Sequence, residues 1–267
     1  MKFAKDFLFR YLEAAPAALA LERSLECELH ARNDWKAPIL DIGCGDGLFS
    51  SILCAEKIDT GIDPYASEIA HAQTTDAYKE LITCFGNDID KPDGSYETII
   101  SNSVLEHIPD LIPVLKEARR LLADGGTFYV TVPSDRFERA NIPARLLEGV
   151  GSVSLAARYG KFYNRFWRHY HAYDDLGWRA LFAQAGLEVA EHRSYDSRNI
   201  ATFCDFLTFV SIPSLISKKL LNRWIFWPIA RQMYVGTVYR VVASTAAGLD
   251  GGEGTLLFYA LRKQQAG

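Results

Sequence analysis

Ile39-Leu40-Asp41-Ile42-Gly43-Cys44-Gly45-Asp46-Gly47 is a short apolar run that ends in three closely spaced glycines. The pattern predicts a buried strand over 39–42 that turns sharply into a helix over 47–56, the opening unit of an α/β domain with a parallel sheet. Glycine serves such a turn in two ways. It takes positive φ without a steric penalty, and its missing Cβ lets the main chain approach a ligand.

The charges indicate which ligand. A dinucleotide turn follows G-x-G-x-x-G and sets a pyrophosphate at the helix N-terminus, where N–H groups and the helix dipole attract anions. Here the third glycine comes one residue early, and Asp41 and Asp46 lie in the turn. Those carboxylates would repel a pyrophosphate, which disfavours a dehydrogenase. They suit a ligand with an ammonium and a sulfonium and no phosphate, which describes S-adenosyl-L-methionine. A Rossmann-like site also needs an acid for the ribose hydroxyls about 20 residues on. Asp63, in Thr60-Gly61-Ile62-Asp63-Pro64, stands 18 residues after Gly45.

With these residues the chain resembles the class I S-adenosylmethionine-dependent methyltransferases, most closely the broad small-molecule group called type 11. Ser101-Asn102-Ser103-Val104-Leu105-Glu106-His107-Ile108 is similar to that group's strand-4 end, and Leu121-Leu122-Ala123-Asp124-Gly125-Gly126-Thr127-Phe128 to its turn into strand 5. The resemblance covers residues 37–133 and implies a doubly wound, mostly parallel sheet. It also implies cofactor contacts from Asp41, Gly43, Cys44, Gly45, Asp63 and Pro64. Asn87 and Asp88 are the implied partners of the adenine amino group, although their loop is short and lacks the group's apolar pair before Pro92-Asp93-Gly94. Ser101, Asn102 and Ser103, at the carboxyl end of strand 4, are expected to border the methionine end. Glu106 and His107 follow that strand, either near the reaction centre or as a helix-start pair making local hydrogen bonds.

Composition narrows the class. A chain of 267 residues holds one large domain with room for insertions, and 49% hydrophobic with 23% charged residues is an ordinary globular balance. The net charge of −4 argues against duplex nucleic acid as the main partner. Cys27, Cys44, Cys54, Cys84 and Cys204 are scattered with no C-x-x-C pair, which favours a reducing compartment and neither a disulfide framework nor structural zinc. No His/Asp/Glu cluster has ligand spacing in the linear sequence, so no metal is expected. The N-terminal segment, with Lys2, Lys5, Asp6 and Arg10, lacks the apolar core of a signal peptide, so a cytoplasmic protein is expected.

Around the core, residues 1–36 read as two helices, 3–13 and 16–31, with Leu21, Leu25 and Leu29 forming a stripe that packs on the sheet or covers the cofactor. Further expected elements are strands at 58–62, 81–84, 98–101 and 127–132, with helices at 64–71 and 111–122. Residues 174–198 and 254–264 complete the core: a helix from Asp174 to Ala185, a strand after Gly186 and a last strand over 255–261.

Residues 134–173 are an insertion expected to act as a lid. Tyr159, Phe162, Tyr163, Phe166, Trp167 and Tyr170 recur at helical spacing, with Arg158, Lys161, Arg165 and Arg168 opposite and no acid between Glu148 and Asp174. The aromatic side either packs on the core or meets an anionic or lipid-bearing acceptor. His169 and His171, expected to close this helix, are with His107 the general-base candidates.

Residues 199–253 form a second helical insertion, apolar and aromatic. Lys218, Lys219, Arg223, Arg231 and Arg240 against Asp205 give residues 199–247 a charge of +4. Asp205, Pro213, Arg231 and Arg240 break its apolar runs short of the ~20 residues that spanning a bilayer needs. Peripheral contact with a membrane's inner face, an acceptor pocket, a dimer interface and plain cover for the sheet all remain open.

The expected activity is methyl transfer to a small-molecule or lipid- or glycan-linked acceptor, preferably at oxygen. Its rival is a non-catalytic S-adenosylmethionine-binding or membrane-docking module.

Overall fold

A computed structural model describes residues 1–212, 214, 216–217, 224–225, 228–249 and 251–264. Pro213, Lys218, Lys219 and Arg223 of the second insertion lie outside the described residues.

Seven strands form one sheet: β1 (Ile39–Ile42), β2 (Ile58–Asp63), β3 (Tyr78–Thr83), β4 (Tyr96–Asn102), β5 (Leu122–Pro133), β6 (Leu187–Ser197) and β7 (Gly254–Lys263). Their order is β3-β2-β1-β4-β5-β7-β6, parallel except that β7 runs antiparallel to both β5 and β6. Strand order reverses between β1 and β4, where an open α/β sheet forms its ligand crevice beyond the carboxyl ends of the strands.

Side chains alternate between two cores, as a period of two requires. Leu40, Ile42, Ile99, Phe128 and Val130 pack on α5 (Leu111–Leu121) and α8 (Asp175–Gln184). Ile39, Ile100, Tyr129 and Phe258 pack on α1 (Phe7–Ala14), α2 (Ala17–Ala31) and α3 (Leu48–Leu53). Leu111, Val114, Leu115 and Ala118 give α5 its buried stripe. Asp174 caps α8 by accepting the Gly177 N–H at 2.8 Å. One further helix, α4 (Ala66–Thr75), joins β2 to β3.

Several boundaries differ from expectation for identifiable reasons. β5 starts at Leu122, five residues early, because Leu122 pairs with Tyr96 before the register shifts past the Gly125-Gly126 turn. β6 runs to Ser197 because β7 pairs with it along its whole length.

The insertions supply α6 (Ile142–Gly149), α7 (Val153–Phe166), α9 (Arg198–Val210) and α10 (Pro228–Leu249). α7 ends at Phe166, and Arg168 adopts φ 57°, so His169 and His171 follow the helix rather than close it. The aromatic stripe also divides: Tyr159 and Tyr163 are half-buried, whereas Phe162 and Phe166 stay exposed. α9 and α10 pack on the N-terminal helices through Leu21, Ile200, Cys204, Leu207 and Val242. Arg231 donates to the Leu12 and Ala15 carbonyls at the end of α1, at 2.7 and 3.2 Å. Among the described residues no helix is long and apolar enough to cross a membrane.

Candidate active site

The glycine turn is held from below. Gly43 and Cys44 both donate to the Ile62 carbonyl at 2.9 Å, which ties the exit of β1 to β2. Gly43 has φ 79°, and a Cβ there would lie 2.4 Å from Val104 Cγ1, so the close approach of the segment after β4 demands glycine. Gly45 has φ 52° and nothing within 4 Å of where its Cβ would be, which leaves a cradle of open backbone. Asp63 accepts the Gly45 N–H at 3.1 Å and the Tyr65 N–H at 2.9 Å, so the second-strand acid sits against that cradle. Burial raises its pKa, and the two N–H donors oppose the rise.

Asp41 lies beneath the turn. Ser50 Oγ and Tyr78 Oη donate to its Oδ2 at 2.8 and 2.7 Å, so its carboxylate braces α3 and β3. Burial pushes its pKa up to about 6. Pro64, Asn87 and Asp88 are exposed at the ends of β2 and β3. Gly86 draws the Asn87–Asp88 loop against Val114 and Ile42, where a Cβ would meet side chains at 3.0 and 3.3 Å. With carboxylates below and beside it and an open backbone face, the turn fits a cationic, phosphate-free ligand.

At the end of β4 the structure separates the three polar residues. Ser101 is buried and donates to the Ile42 carbonyl at 3.1 Å, fastening β4 to β1 instead of bordering the crevice. Asn102 is consumed within the fold: it donates to Glu26 at 2.6 Å and accepts from Thr131 Oγ1 at 2.9 Å, with His30 Nε2 at 3.2 Å. Ser103, at φ 52°, donates to Glu26 at 2.9 Å and faces the pocket described next.

Glu26 is fully buried on α2 and also accepts from Arg23, at 2.6 and 2.8 Å, and from Tyr195 Oη at 3.2 Å. This single carboxylate joins α2, β4 and β6. Nothing in the linear sequence marks it, because it lies 76 residues from Asn102.

Beside Ser103 a pocket of about 180 Å³ opens between α2, α7, α9 and the β4 end. Tyr163, Trp167 and Phe137 supply aromatic walls, while Glu22, Glu106, Asp196 and Asp205 supply carboxylates. His107 and His169 meet there with ring centroids 5.2 Å apart. His107 Nδ1 lies 3.2 Å from the Arg168 carbonyl, so it carries the hydrogen, and Nε2 lies 3.8 Å from Glu106 Oε1. His169 Nδ1 and Glu106 Oε2 are buried without a hydrogen-bond partner.

Burial lowers the pKa of His107 and takes that of His169 down to about 4, while it raises that of Glu106 to about 8. All three groups are therefore biased toward neutrality at pH 7. Ligand atoms of Glu106, His107 and His169 lie within 4.8 Å of one another, a grouping that linear spacing does not reveal.

The segment after α7 reaches this place because Tyr170 and His171 N–H donate to the Glu106 carbonyl at 2.8 and 3.3 Å. His171 itself points elsewhere. Its Nε2 meets the Ile108 carbonyl at 2.9 Å and its Nδ1 the Tyr173 hydroxyl at 3.1 Å, so both ring nitrogens are committed to the fold.

A family model described as a methyltransferase domain matches residues 8–192. The chain belongs to that family. It is a class I methyltransferase, and S-adenosyl-L-methionine is its cofactor. An uncharacterized methyltransferase of Mycobacterium bovis is 32% identical over 101 residues, covering 34% of this chain and 48% of the relative. A ubiquinone biosynthesis O-methyltransferase of Pectobacterium atrosepticum is 29% identical over 104 residues, covering 35% and 42%. Each match thus spans less than half the relative's length.

Among solved structures, a methyltransferase of Thermotoga maritima described as a possible histamine N-methyltransferase shares the fold. Its TM-score is 0.55 at 14% identity, over 93% of this chain and 91% of that one. The family match takes in α2 and α7 of the pocket wall along with most of the sheet, and ends before α9.

Proposed function

We propose that this methyltransferase transfers a methyl group to an oxygen of a small-molecule or lipid- or glycan-linked acceptor held in the pocket beside Ser103. The observation that carries the reading is the meeting of two imidazoles biased toward the neutral form, His107 and His169, with a buried Glu106 at the carboxyl end of β4. S-Adenosyl-L-methionine, when bound, supplies a methyl carbon already activated by positive sulfur.

Asp63 and the Gly45 backbone hold the donor's ribose side. Asn87 and Asp88 take the adenine, and Ser103 borders the methionine end. Aromatic walls from Phe137, Tyr163 and Trp167 exclude water and align the acceptor, which is the larger part of the rate gain. His169 would take the acceptor's hydroxyl proton as that oxygen bonds the methyl carbon and the carbon–sulfur bond of the donor breaks, with S-adenosylhomocysteine as the leaving group. An oxygen gaining a bond to carbon becomes strongly acidic, so a base with a pKa near 4 suffices. Oxygen is preferred because the segment after β4 reads Ser101-Asn102-Ser103-Val104, where nitrogen methyltransferases of this class often carry Asn/Asp-Pro-Pro-Tyr. The O-methyltransferase named among the relatives agrees with that choice, while the possible N-methyltransferase among the structures leaves it to experiment.

Titration calorimetry with S-adenosylhomocysteine tests the donor half: the parent should bind, and Asp63→Ala should lose at least tenfold in affinity. Incubation with methyl-labelled cofactor and fractionated lipid and metabolite extracts tests the acceptor half. Binding without any labelled product would favour a cofactor-binding module, and a labelled product methylated at nitrogen would overturn the oxygen assignment.

A further inference from the structure

We propose that α7, with the end of α9, docks this methyltransferase on an anionic lipid bilayer, so that the mouth of its acceptor pocket faces the membrane. The inference deepens the lipid-linked form of the acceptor proposed above.

The outer surface of α7 is unusual for a soluble domain. Leu155, Phe162 and Phe166 share one face at i, i+7 and i+11, and Phe162 and Phe166 are 58% and 64% exposed. On the buried side the helix is anchored through small residues, with Ala156 and Gly160 buried and Gly160 tight against Glu138. Tyr159 and Tyr163 turn inward beside them, so Leu155, Phe162 and Phe166 form an additional apolar face that the helix's own packing leaves exposed. At the end of α9, Phe206, Phe209 and Ile212 are also exposed.

Both helices line the acceptor pocket as well, through Tyr163 of α7 and Trp167 just past it, and through Thr208 of α9 and Ser211 just past it. The exposed apolar groups therefore flank the pocket walls. An acceptor with an apolar tail could keep that tail in lipid while its polar end reached His169.

Charge selects the occupant. Arg158, Lys161 and Arg165 are exposed along one side of the apolar face and Arg168 is exposed just past the helix end, with no acidic residue between Glu148 and Asp174. No ion pair engages these four among the described residues. A twofold dimer across this face would set like charge against like charge, since such an interface meets itself. An anionic headgroup layer complements all four cations while the aromatic and aliphatic side chains enter the interface, the pattern of a surface-lying amphipathic helix.

Flotation of the full chain with phosphatidylcholine vesicles, and with vesicles containing 30 mol% phosphatidylglycerol, tests this. Binding should require phosphatidylglycerol and weaken with salt. Each charge removed in Arg158→Gln, Lys161→Gln and Arg165→Gln should lower partitioning about fivefold, and the double variant Phe162→Ser/Phe166→Ser should abolish it. S-Adenosylhomocysteine binding should be unchanged in these surface variants, which checks that they fold and separates this test from that of the methyl-transfer reading.

Equal binding to both vesicle types, or none at low salt, would overturn the proposal. So would a concentration-dependent dimer that disappears in Phe162→Ser/Phe166→Ser, since that would assign the face to a second copy of the chain.

Discussion

Replacing Asp41 by asparagine should stabilise the fold at neutral pH and leave it unchanged in acid. Asp41 is 3% exposed and its pKa rises from 3.8 to about 6 on folding, chiefly through burial. A folded-state pKa above the unfolded value means that the native state holds its proton more tightly. Stability from this group is therefore greatest below pH 4, falls as pH rises through 4 to 6, and stays low above pH 6. About 2 pKa units at ~1.4 kcal/mol each amount to a penalty of about 3 kcal/mol at pH 7.5.

Asparagine keeps an oxygen to accept from Ser50 and Tyr78 but carries no charge to desolvate. Urea denaturation of parent and Asp41→Asn at pH 4 and pH 7.5 isolates the effect, because every other titrating group is common to both proteins. The stability difference should grow by about 2.5 kcal/mol between the two pH values, because the unfolded carboxyl is already about half ionised at pH 4, or roughly 5–10 °C in Tm for a chain of this length. A difference independent of pH would refute the assignment of a buried, charge-bearing Asp41. The gain should come with weaker binding of the cationic cofactor, the usual cost of relieving a functional strain.

Gly43→Ala should destabilise by about 2–5 kcal/mol, because left-handed φ and overlap with Val104 act together; Val104→Ala should restore part of that in a denaturation series. Gly45→Ala meets no neighbour and should lose only about 1–2 kcal/mol, yet calorimetry should show S-adenosylhomocysteine affinity down more than tenfold. His169→Ala should lower kcat about 10²–10⁴-fold, whereas His171→Ala should lower Tm with kcat within threefold, since its nitrogens serve Ile108 and Tyr173. Glu106→Gln should leave kcat at pH 7 nearly unchanged, because the parent side chain, with a pKa of about 8, is mostly protonated there. A loss of stability in the parent as pH rises toward 8 should be absent from that variant.

The sequence reveals what depends on neighbouring residues and conceals what depends on distant ones. β1 over 39–42, the glycine turn, Asp63 and the Asp174 cap are all legible because strand period, positive φ and helix capping act within a few residues. Helix periodicity correctly placed an aromatic helix before His169, but it carried the helix too far. Periodicity does not register that the Glu106 carbonyl, more than 60 residues earlier, captures the N–H groups of Tyr170 and His171. The same limit explains the division of the three histidines. His107 and His169 meet only because that capture folds the chain back, and His171, two residues on, projects away toward Ile108. Asn102 and Ser101 were placed at the right strand end, yet which polar side chains face a crevice there is decided by Glu26 and Ile42 arriving from other elements.

Three carboxylates around this crevice, Asp41, Glu106 and Asp196, are each at least 95% buried, and burial raises the pKa of each. Two of them, Glu106 and Asp196, retain an oxygen with no partner. A fold selected for stability alone would replace such groups, since uncompensated buried acids cost several kcal/mol and amides of the same shape would not. Arg23, in the pocket wall, donates to Glu26 and hydrogen-bonds neither Glu106 nor Asp196 among the described residues. Burial therefore holds Glu106 and Asp196 in the neutral, protonated form, as hydrogen-bond donors as well as acceptors toward whatever enters the pocket. The two parts of the crevice thus differ: the Asp41–Gly47 turn has the Asp63 carboxylate beside it, whereas Glu106 and Asp196 of the pocket beside Ser103 are kept neutral and can hydrogen-bond an uncharged acceptor.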